Sequence, residues 1–122
     1  MLEVDKKKRF TRNMLVGDCV INKEITAIVE RLVEAIAPEK IYLFGSYARG
    51  DYNAESDYDF YVIVKNDRAD ILEITQEAYV SLLNMERKPV DIIVNTIDRF
   101  EEKSNFNSIE KTIINEGVLL YA

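Results

Sequence analysis

Two aspartates separated by one residue, Asp57 and Asp59, lie at the start of an apolar segment that runs from Tyr58 to Val64. Because side chains alternate across a β-strand, residues two apart point to the same face, so both carboxylates should emerge side by side. Neighbouring carboxylates repel each other, and hard oxygen ligands of this kind suit Mg²⁺ or Mn²⁺. The pair therefore indicates a metal site, although a strand entrance with two solvated aspartates would give the same pattern.

A third aspartate, Asp91, lies inside the apolar segment Val90-Asp91-Ile92-Ile93-Val94. A carboxylate in such a strand is costly to bury unless something neutralises it. If this strand pairs beside the one that carries Asp59, then Asp91 can complete a cluster of three carboxylates. The alternative is an aspartate at a frayed strand start that faces solvent.

Gly45 and Ser46 directly follow a short apolar strand at residues 41–44. A glycine at a strand end allows close backbone approach to a ligand, and residues 47–49 could begin a short helix whose N–H groups face a phosphate. Ser46 adds a hydroxyl donor, and Arg49 adds a charge that could pair with a phosphate. These three residues are the candidates for nucleotide binding, although a Gly-Ser pair alone is a common turn.

The composition excludes several kinds of catalytic site and metal site. The chain has 122 residues, no histidine and one cysteine, Cys19, which excludes Ser-His-Asp and Cys-His catalysis, most zinc sites and an internal disulfide. A net charge of −6 argues against direct nucleic-acid binding, and the basic run at residues 6–9 is interpreted as a solvated N-terminal segment. We interpret Cys19 as a structural thiol in a reducing, cytoplasmic setting. No apolar run is long enough to span a bilayer.

The hydrophobic pattern predicts one domain of alternating helices and strands. From Asn22 to Pro38, apolar residues recur at spacings of three and four, while Glu24, Glu30, Arg31 and Glu34 fill the other face. Strands are predicted at residues 41–44, at about 58–64 and at 90–94. A short last strand is predicted at residues 118–121. A helix capped by Asp70 carries Ile71, Ile74, Ala78, Leu82 and Met85 on one face, and a C-terminal helix lies around Ile109, Ile113 and Ile114 and ends near Gly117.

The predicted order is helix, strand, loop, strand, helix, strand, helix, with a short last strand. This order favours an α/β (α+β) fold in which a small mixed sheet is flanked by helices. Residues 22–122 are predicted to form the domain, and the structure of residues 1–21 is left unassigned.

The spacing of these residues resembles a known signature. Gly45-Ser46, ten residues, Asp57, one residue and Asp59 is similar to the motif of the DNA polymerase β-like nucleotidyltransferase superfamily. The string GSYARGDYNAESDYDFYVIV at residues 45–64 resembles the minimal nucleotidyltransferases, the antitoxin-like partners of HEPN-domain toxins. Asp91 falls on a later strand, where that family carries its third carboxylate.

The resemblance implies a polymerase β-like nucleotidyltransferase fold that uses ATP and two Mg²⁺ ions. Gly45 and Ser46 would hold the triphosphate, Asp57 and Asp59 would bind both ions, and Asp91 would bind the catalytic one. The acceptor in that group is a tyrosine hydroxyl of the cognate HEPN toxin, which becomes adenylylated and inactive.

Three alternatives remain open at this stage. A nucleotidyltransferase of the aminoglycoside-modifying type would use the same chemistry on a small molecule, although such enzymes usually carry an additional substrate domain. A non-catalytic module could neutralise a partner by covering it. A plain Ca²⁺ or Mg²⁺ structural site is disfavoured by the ten-residue spacing from Gly-Ser.

Overall fold

The computed structural model describes the backbone of residues 15–16 and 19–20 and the whole of residues 22–68 and 70–122. Its elements are β1 Leu15–Val16, β2 Cys19–Val20, α1 Lys23–Ile36, β3 Lys40–Phe44, α2 Ser46–Arg49, β4 Tyr58–Val64, α3 Ile71–Val80, β5 Val90–Thr96, α4 Ile97–Lys103, α5 Ile109–Glu116 and β6 Val118–Tyr121. The predicted α/β fold is confirmed, with a four-stranded mixed sheet in the order β5-β4-β3-β6. The basic run at 6–9 and the side chain of Cys19 lie outside the described residues.

The ends of α1 follow from local chemistry. The side-chain oxygen of Asn22 accepts a hydrogen bond from the Ile25 N–H at 2.8 Å, which satisfies one of the unpaired donors of the first turn. At the other end Ala37 adopts a left-handed conformation with φ 46°, and its N–H donates to the Val33 carbonyl. Pro38 follows and disfavours a further helical turn.

The sheet combines antiparallel and parallel pairs. β3 is antiparallel to both β4 and β6, whereas β4 and β5 are parallel and are joined through α3. A parallel pair needs such a crossover, because the chain must return to the same end of the sheet. Both acid-bearing strands therefore begin at one end of the sheet.

Two apolar clusters cover the two faces of the sheet. Phe60 and Val62 of β4 belong to the larger cluster, which includes residues of α1 and α3. Tyr61 and Ile63 belong to the smaller one, which includes Phe100 of α4 and Ile113 of α5. Since faces alternate along a strand, Asp59 lies on the face that carries the smaller cluster.

The structure differs from the sequence prediction at several element boundaries. β5 continues two residues beyond the predicted end at Val94, and α4, which was not predicted, starts immediately after it. The Thr96 hydroxyl caps α4 by accepting from the Arg99 N–H at 3.3 Å, so a polar strand end is at the same time a helix start. α3 ends at Val80, and Leu82 and Met85 pack onto the core from the turns that follow.

The C-terminal helix and the last strand are confirmed. Ile113 is buried, whereas the side chains of Ile109 and Ile114 are 43% and 56% exposed. No helix in the described part of the chain is long and apolar enough to cross a membrane.

Candidate functional site

A row of residues near the beginning of β4 and β5 brings two of the predicted acids together. Asp59 is the register partner of Phe44 on β3 and of Asp91 on β5. Residues that are paired across neighbouring strands point to the same face, so the carboxylates of Asp59 and Asp91 are side by side. Asp57 lies two residues before Asp59, just outside the strand.

The three aspartates influence one another electrostatically. Burial raises the pKa of Asp59 to about 6, and the negative charges of Asp91 and Asp57 and a hydrogen bond with Asp91 act in the same direction. The positive charge of Arg49 opposes this shift. Asp59 is half-buried, whereas Asp57 and Asp91 are exposed. A cation placed among these oxygens would remove the repulsion that disfavours the ionised form of Asp59.

Gly45 lies directly against this row of acids. Its backbone φ of +78° is one that residues with a side chain rarely adopt. A Cβ atom at this position would also overlap the carboxylate of Asp59. The sequence indicated a close backbone approach to a ligand at Gly45. The structure shows that the side chain of Asp59 is the immediate neighbour of Gly45, so the Gly-Ser turn lies directly beside this acid.

The short helix α2 follows Gly45, as the sequence predicted. The N–H groups of Ala48 and Arg49 donate to the Gly45 carbonyl at 3.1 and 3.0 Å, which closes the turn. The buried ring of Tyr47 lies 4.2 Å from the ring of Tyr52 and 4.7 Å from that of Tyr58, measured between ring centroids. This aromatic contact anchors α2 to the sheet, and Ser46, the first residue of α2, is half-buried.

Arg49 lies at the end of the same helix but has partners within the chain. Its Nε donates to Asp51 at 3.2 Å, and its Nη1 lies 3.5 Å from a carboxylate oxygen of Glu116. All three side chains are exposed to solvent by 40% or more, so these ion pairs are weak. The predicted role of Arg49 in nucleotide binding stays a prediction.

A complete metal cluster is not formed in the ranges 22–68 and 70–122, where no group of three or more His, Cys, Asp or Glu side chains is arranged to hold an ion. The structure brings Asp59 and Asp91 together as a pair and places the charge of Asp57 near them. The assignment of all three as metal ligands stays a prediction.

The sequence prediction missed the residues that tie the two acid-bearing strands together. Glu24 was placed on the polar face of α1, but it is half-buried and both of its carboxylate oxygens accept hydrogen bonds. The donors are the Tyr58 hydroxyl and the Lys88 backbone N–H. Periodicity gave no signal for this role, because an acidic residue in the first turn of a helix is ordinarily explained by the helix dipole.

Comparisons with known proteins show the family to which this chain belongs. The sequence profile described as "Nucleotidyltransferase domain" matches residues 23–120. A Methanocaldococcus jannaschii protein named "Putative protein adenylyltransferase MJ0604" is 35% identical over 83 residues, which is 68% of this chain and 78% of that protein. The resemblance to nucleotidyltransferases is therefore confirmed.

A solved structure has the same fold. The crystal structure of "a putative nucleotidyltransferase from Sulfolobus solfataricus" is 28% identical, with a TM-score of 0.52, and the match covers 80% of this chain and 76% of that one. A more distant similarity is to the "Crystal structure of the toxin-antitoxin with AMP-PNP", at 24% identity and a TM-score of 0.47, covering 79% of this chain and 72% of that one. The second similarity is too low to bear on the partner or the ligand of this chain.

Proposed function

Because the chain belongs to the nucleotidyltransferase-domain family, we propose that it transfers AMP from ATP to a hydroxyl group of another protein. The observation that carries the proposal is the in-register pair Asp59 and Asp91, against which Gly45 packs without a side chain. Adjacent carboxylates beside a glycine turn suit a site for a metal-bound triphosphate, because the acids attract the cation and a glycine allows the backbone to lie close to them.

The donor set fits Mg²⁺. Carboxylate oxygens are the ligands that this hard cation prefers. Burial and, after it, the negative charges of Asp91 and Asp57 raise the pKa of Asp59, and a cation would neutralise the part that is due to these charges. Asp57, Asp59 and Asp91 would hold the metal. When it is bound, Mg²⁺ supplies charge neutralisation on the triphosphate and lowers the pKa of the attacking hydroxyl.

The reaction is an in-line displacement at the α-phosphorus of ATP. The acceptor oxygen forms the new bond to the α-phosphorus, the bond from that phosphorus to the bridging oxygen breaks, and pyrophosphate leaves. Asp91 has an exposed carboxylate, which suits it to orient the acceptor hydroxyl and to take up its proton. Gly45 and Ser46 would contact the triphosphate, with the Ser46 hydroxyl as a donor and Arg49 as a further charge.

The acceptor that we propose is a tyrosine of a cognate HEPN-type toxin. Two lines support a protein acceptor: the motif at residues 45–64 resembles the antitoxin-like minimal nucleotidyltransferases, and the relative MJ0604 is named as a protein adenylyltransferase. The exposure of Asp57 and Asp91 leaves the acceptor side of the site accessible to a docking partner. Docking would provide much of the rate, because it makes the reaction effectively unimolecular.

Mass spectrometry of the partner tests the proposal. The chain is incubated with ATP, Mg²⁺ and the candidate toxin, and the toxin should gain one or more AMP units on a tyrosine. The gain should be absent in EDTA and with Asp57→Ala or Asp91→Ala. If the wild-type chain neutralises its partner without a change of mass, and both variants neutralise it equally well, the chain is a binding module and the proposal fails.

A partner-free experiment tests the nucleotide site itself. ATP should raise the melting temperature more in Mg²⁺ than in EDTA, since a ligand that binds only the folded state stabilises it. Equal shifts in both conditions would contradict a metal-dependent nucleotide site.

A further inference from the structure

One carboxylate on α1 contacts the beginnings of both strands that carry the acids. Glu24 lies in the first turn of α1, and its Oε1 accepts from the Tyr58 hydroxyl at 2.5 Å. Its Oε2 accepts from the backbone N–H of Lys88 at 3.2 Å. Tyr58 is the first residue of β4, and Lys88 lies two residues before β5, so Glu24 links the two strand starts from a third element.

Further hydrogen bonds join the same segments. The Tyr58 N–H donates to the Pro89 carbonyl at 3.1 Å, and the Lys88 ammonium donates to the Ala54 carbonyl at 2.8 Å. The amide of Asn22, whose oxygen caps α1, reaches the Tyr58 hydroxyl at 3.4 Å. The end of the sheet that carries the acids is therefore held by the helix, by the loop before β4 and by the segment before β5.

This group of contacts lies one register row from the acids. Tyr58 pairs with Val90, and the next row along the same two strands is Asp59 with Asp91. The ring of Tyr58 belongs to the larger apolar cluster, on the face opposite Asp59, so Glu24 acts on the acids only through the backbone of the two strands.

The position of these acids needs such a restraint. β5 has one neighbour in the sheet, and strand ends separate more readily than strand centres. Asp57, Asp59 and Asp91 also repel one another when they are ionised, which favours separation of β4 from β5 at this end. A displacement of about 1 Å at such a site is enough to cost about a hundredfold in rate.

We propose that Glu24 is a positioning residue that fixes the spacing of Asp59 and Asp91 by holding Tyr58 of β4 and Lys88 before β5 to α1. This inference rests on the proposed function, because it concerns the same metal-binding acids. Glu24 contacts no substrate in this role, and its effect reaches the site through the register of the two strands.

The test measures Mn²⁺ binding to the nucleotide-free chain by electron paramagnetic resonance, with no activity readout. Glu24→Met keeps the length of the side chain and removes both carboxylate oxygens, so the Tyr58 hydroxyl and the Lys88 N–H lose their acceptor on α1. Tyr58→Phe removes the hydroxyl alone. Outer residues that orient metal ligands typically contribute about ten- to a hundredfold in metal affinity, so both variants should bind Mn²⁺ at least about tenfold more weakly.

A second tyrosine on the same strand provides the matched control. The Tyr61 hydroxyl donates to Glu110 of α5 at 2.6 Å, away from the acid-bearing strand ends. Tyr61→Phe removes the same atom from a comparable tyrosine–glutamate pair and should lower the melting temperature with no change in Mn²⁺ affinity. Circular dichroism before each titration establishes that the variants are folded.

The outcomes separate this inference from the proposed function. If the wild-type chain binds Mn²⁺ and folded Glu24→Met and Tyr58→Phe bind it equally well, Glu24 is not a positioning residue, whether or not the chain transfers AMP. Equal weakening by Tyr61→Phe would mean that any loosening of β4 disturbs the acids, and it would also overturn the proposal. If the wild-type chain and Asp91→Ala both fail to bind Mn²⁺, the metal site of the proposed function fails, and this inference fails with it.

Discussion

Two tyrosine–glutamate pairs lie on the same strand, three residues apart, and they have different surroundings. At the beginning of β4, Tyr58 donates to Glu24 of α1, and at its centre Tyr61 donates to Glu110 of α5. Tyr61 and Glu110 are 0% and 5% exposed, and the amide of Asn95 also donates to the Tyr61 hydroxyl at 3.1 Å. The first pair adjoins the row of acids, and the second is enclosed between the sheet and two helices.

The same kind of tyrosine–glutamate hydrogen bond therefore occurs in two different environments. Burial and the hydrogen bond to its glutamate raise the pKa of each tyrosine above its ordinary value, so both hydroxyls keep their protons and remain donors. The pairs differ in their glutamates, since Glu110 is buried whereas Glu24 is half-buried. The ring of Tyr61 also packs edge-on to Phe100, with ring centroids 5.2 Å apart. The contacts around Tyr61 stabilise the fold. The end near Glu24 instead carries three negative charges close together, an arrangement that a bound cation would stabilise. The comparison predicts that substitutions at the acid-bearing end reduce activity, whereas substitutions around Tyr61 reduce stability.

The largest effect is expected for Gly45→Val. The new side chain would overlap the Asp59 carboxylate and would also be strained at φ +78°, so the acid must move. We expect transfer to fall by at least about a hundredfold, measured as AMP incorporation per folded protein. Gly50→Val is the control, because Gly50 also has a positive φ, +88°, at the other end of α2, and the variant introduces the same side chain there. Equal losses in both variants would show that strain, and not the contact with Asp59, determines the result.

The next effect concerns the triphosphate. Ser46→Ala removes one hydroxyl donor while the backbone N–H groups of the turn remain. A hydrogen bond to a charged group contributes about 1.5–3 kcal/mol, so transfer at limiting ATP should fall by roughly ten- to a hundredfold. The melting temperature without ATP should stay close to that of the wild-type chain. Full activity at limiting ATP would place the phosphate contacts elsewhere.

The enclosed pair should respond in the opposite way. Tyr61→Phe leaves the carboxylate of Glu110 and the amide of Asn95 buried without their shared partner, which costs about 1–3 kcal/mol of unfolding free energy. Urea denaturation measures this loss, and AMP transfer by the folded fraction should be unchanged. A strong loss of transfer at full stability would contradict the division between the two regions.

The sequence predicted the elements that carry the acids because their signals are local. The strand at Tyr58–Val64 is marked by a continuous apolar run, and Asp70 caps α3 through the Glu73 N–H at 3.2 Å, as expected from its position. The metal-binding interpretation of Asp91 depended on a pairing of β4 with β5 that no local pattern specifies. The structure supplies that pairing in register.

What the sequence could not predict depends on contacts between distant residues. Glu24 and Tyr58 are 34 positions apart, and Tyr61 and Glu110 are 49 apart. Helical periodicity identifies which residues face the core, but it does not identify which partner a polar residue will meet there. α4 was missed for a related reason, since a seven-residue helix with mixed charges has too little periodicity to be distinguished from a loop.

The smallest expected effect is that of Asp59→Asn on the free energy of unfolding. It tests the repulsion among the acids directly, and its sign should depend on whether Mg²⁺ is present. In EDTA, Asp59→Asn should stabilise the fold by about 1 kcal/mol or less at pH 8, a low value because Asp59 is only half-buried and solvent screens its neighbours. The pKa of Asp59 is raised to about 6 by burial and by its acidic neighbours, whereas in the unfolded chain it has its ordinary value near 3.8. Protonation therefore favours the folded wild-type chain, which gains stability as the pH falls through 6 towards 4. The stability advantage of the variant should shrink over the same range, because its amide does not titrate there.

In saturating Mg²⁺ at pH 8 the order of the two stabilities should reverse, since the wild-type chain alone has the full set of ligands. Urea denaturation at pH 8 and pH 4.5, with and without Mg²⁺, measures all four cases. If the variant is less stable than the wild type in EDTA at pH 8, Asp59 stabilises the metal-free fold, and the hypothesis that repulsion among the acids destabilises it is wrong.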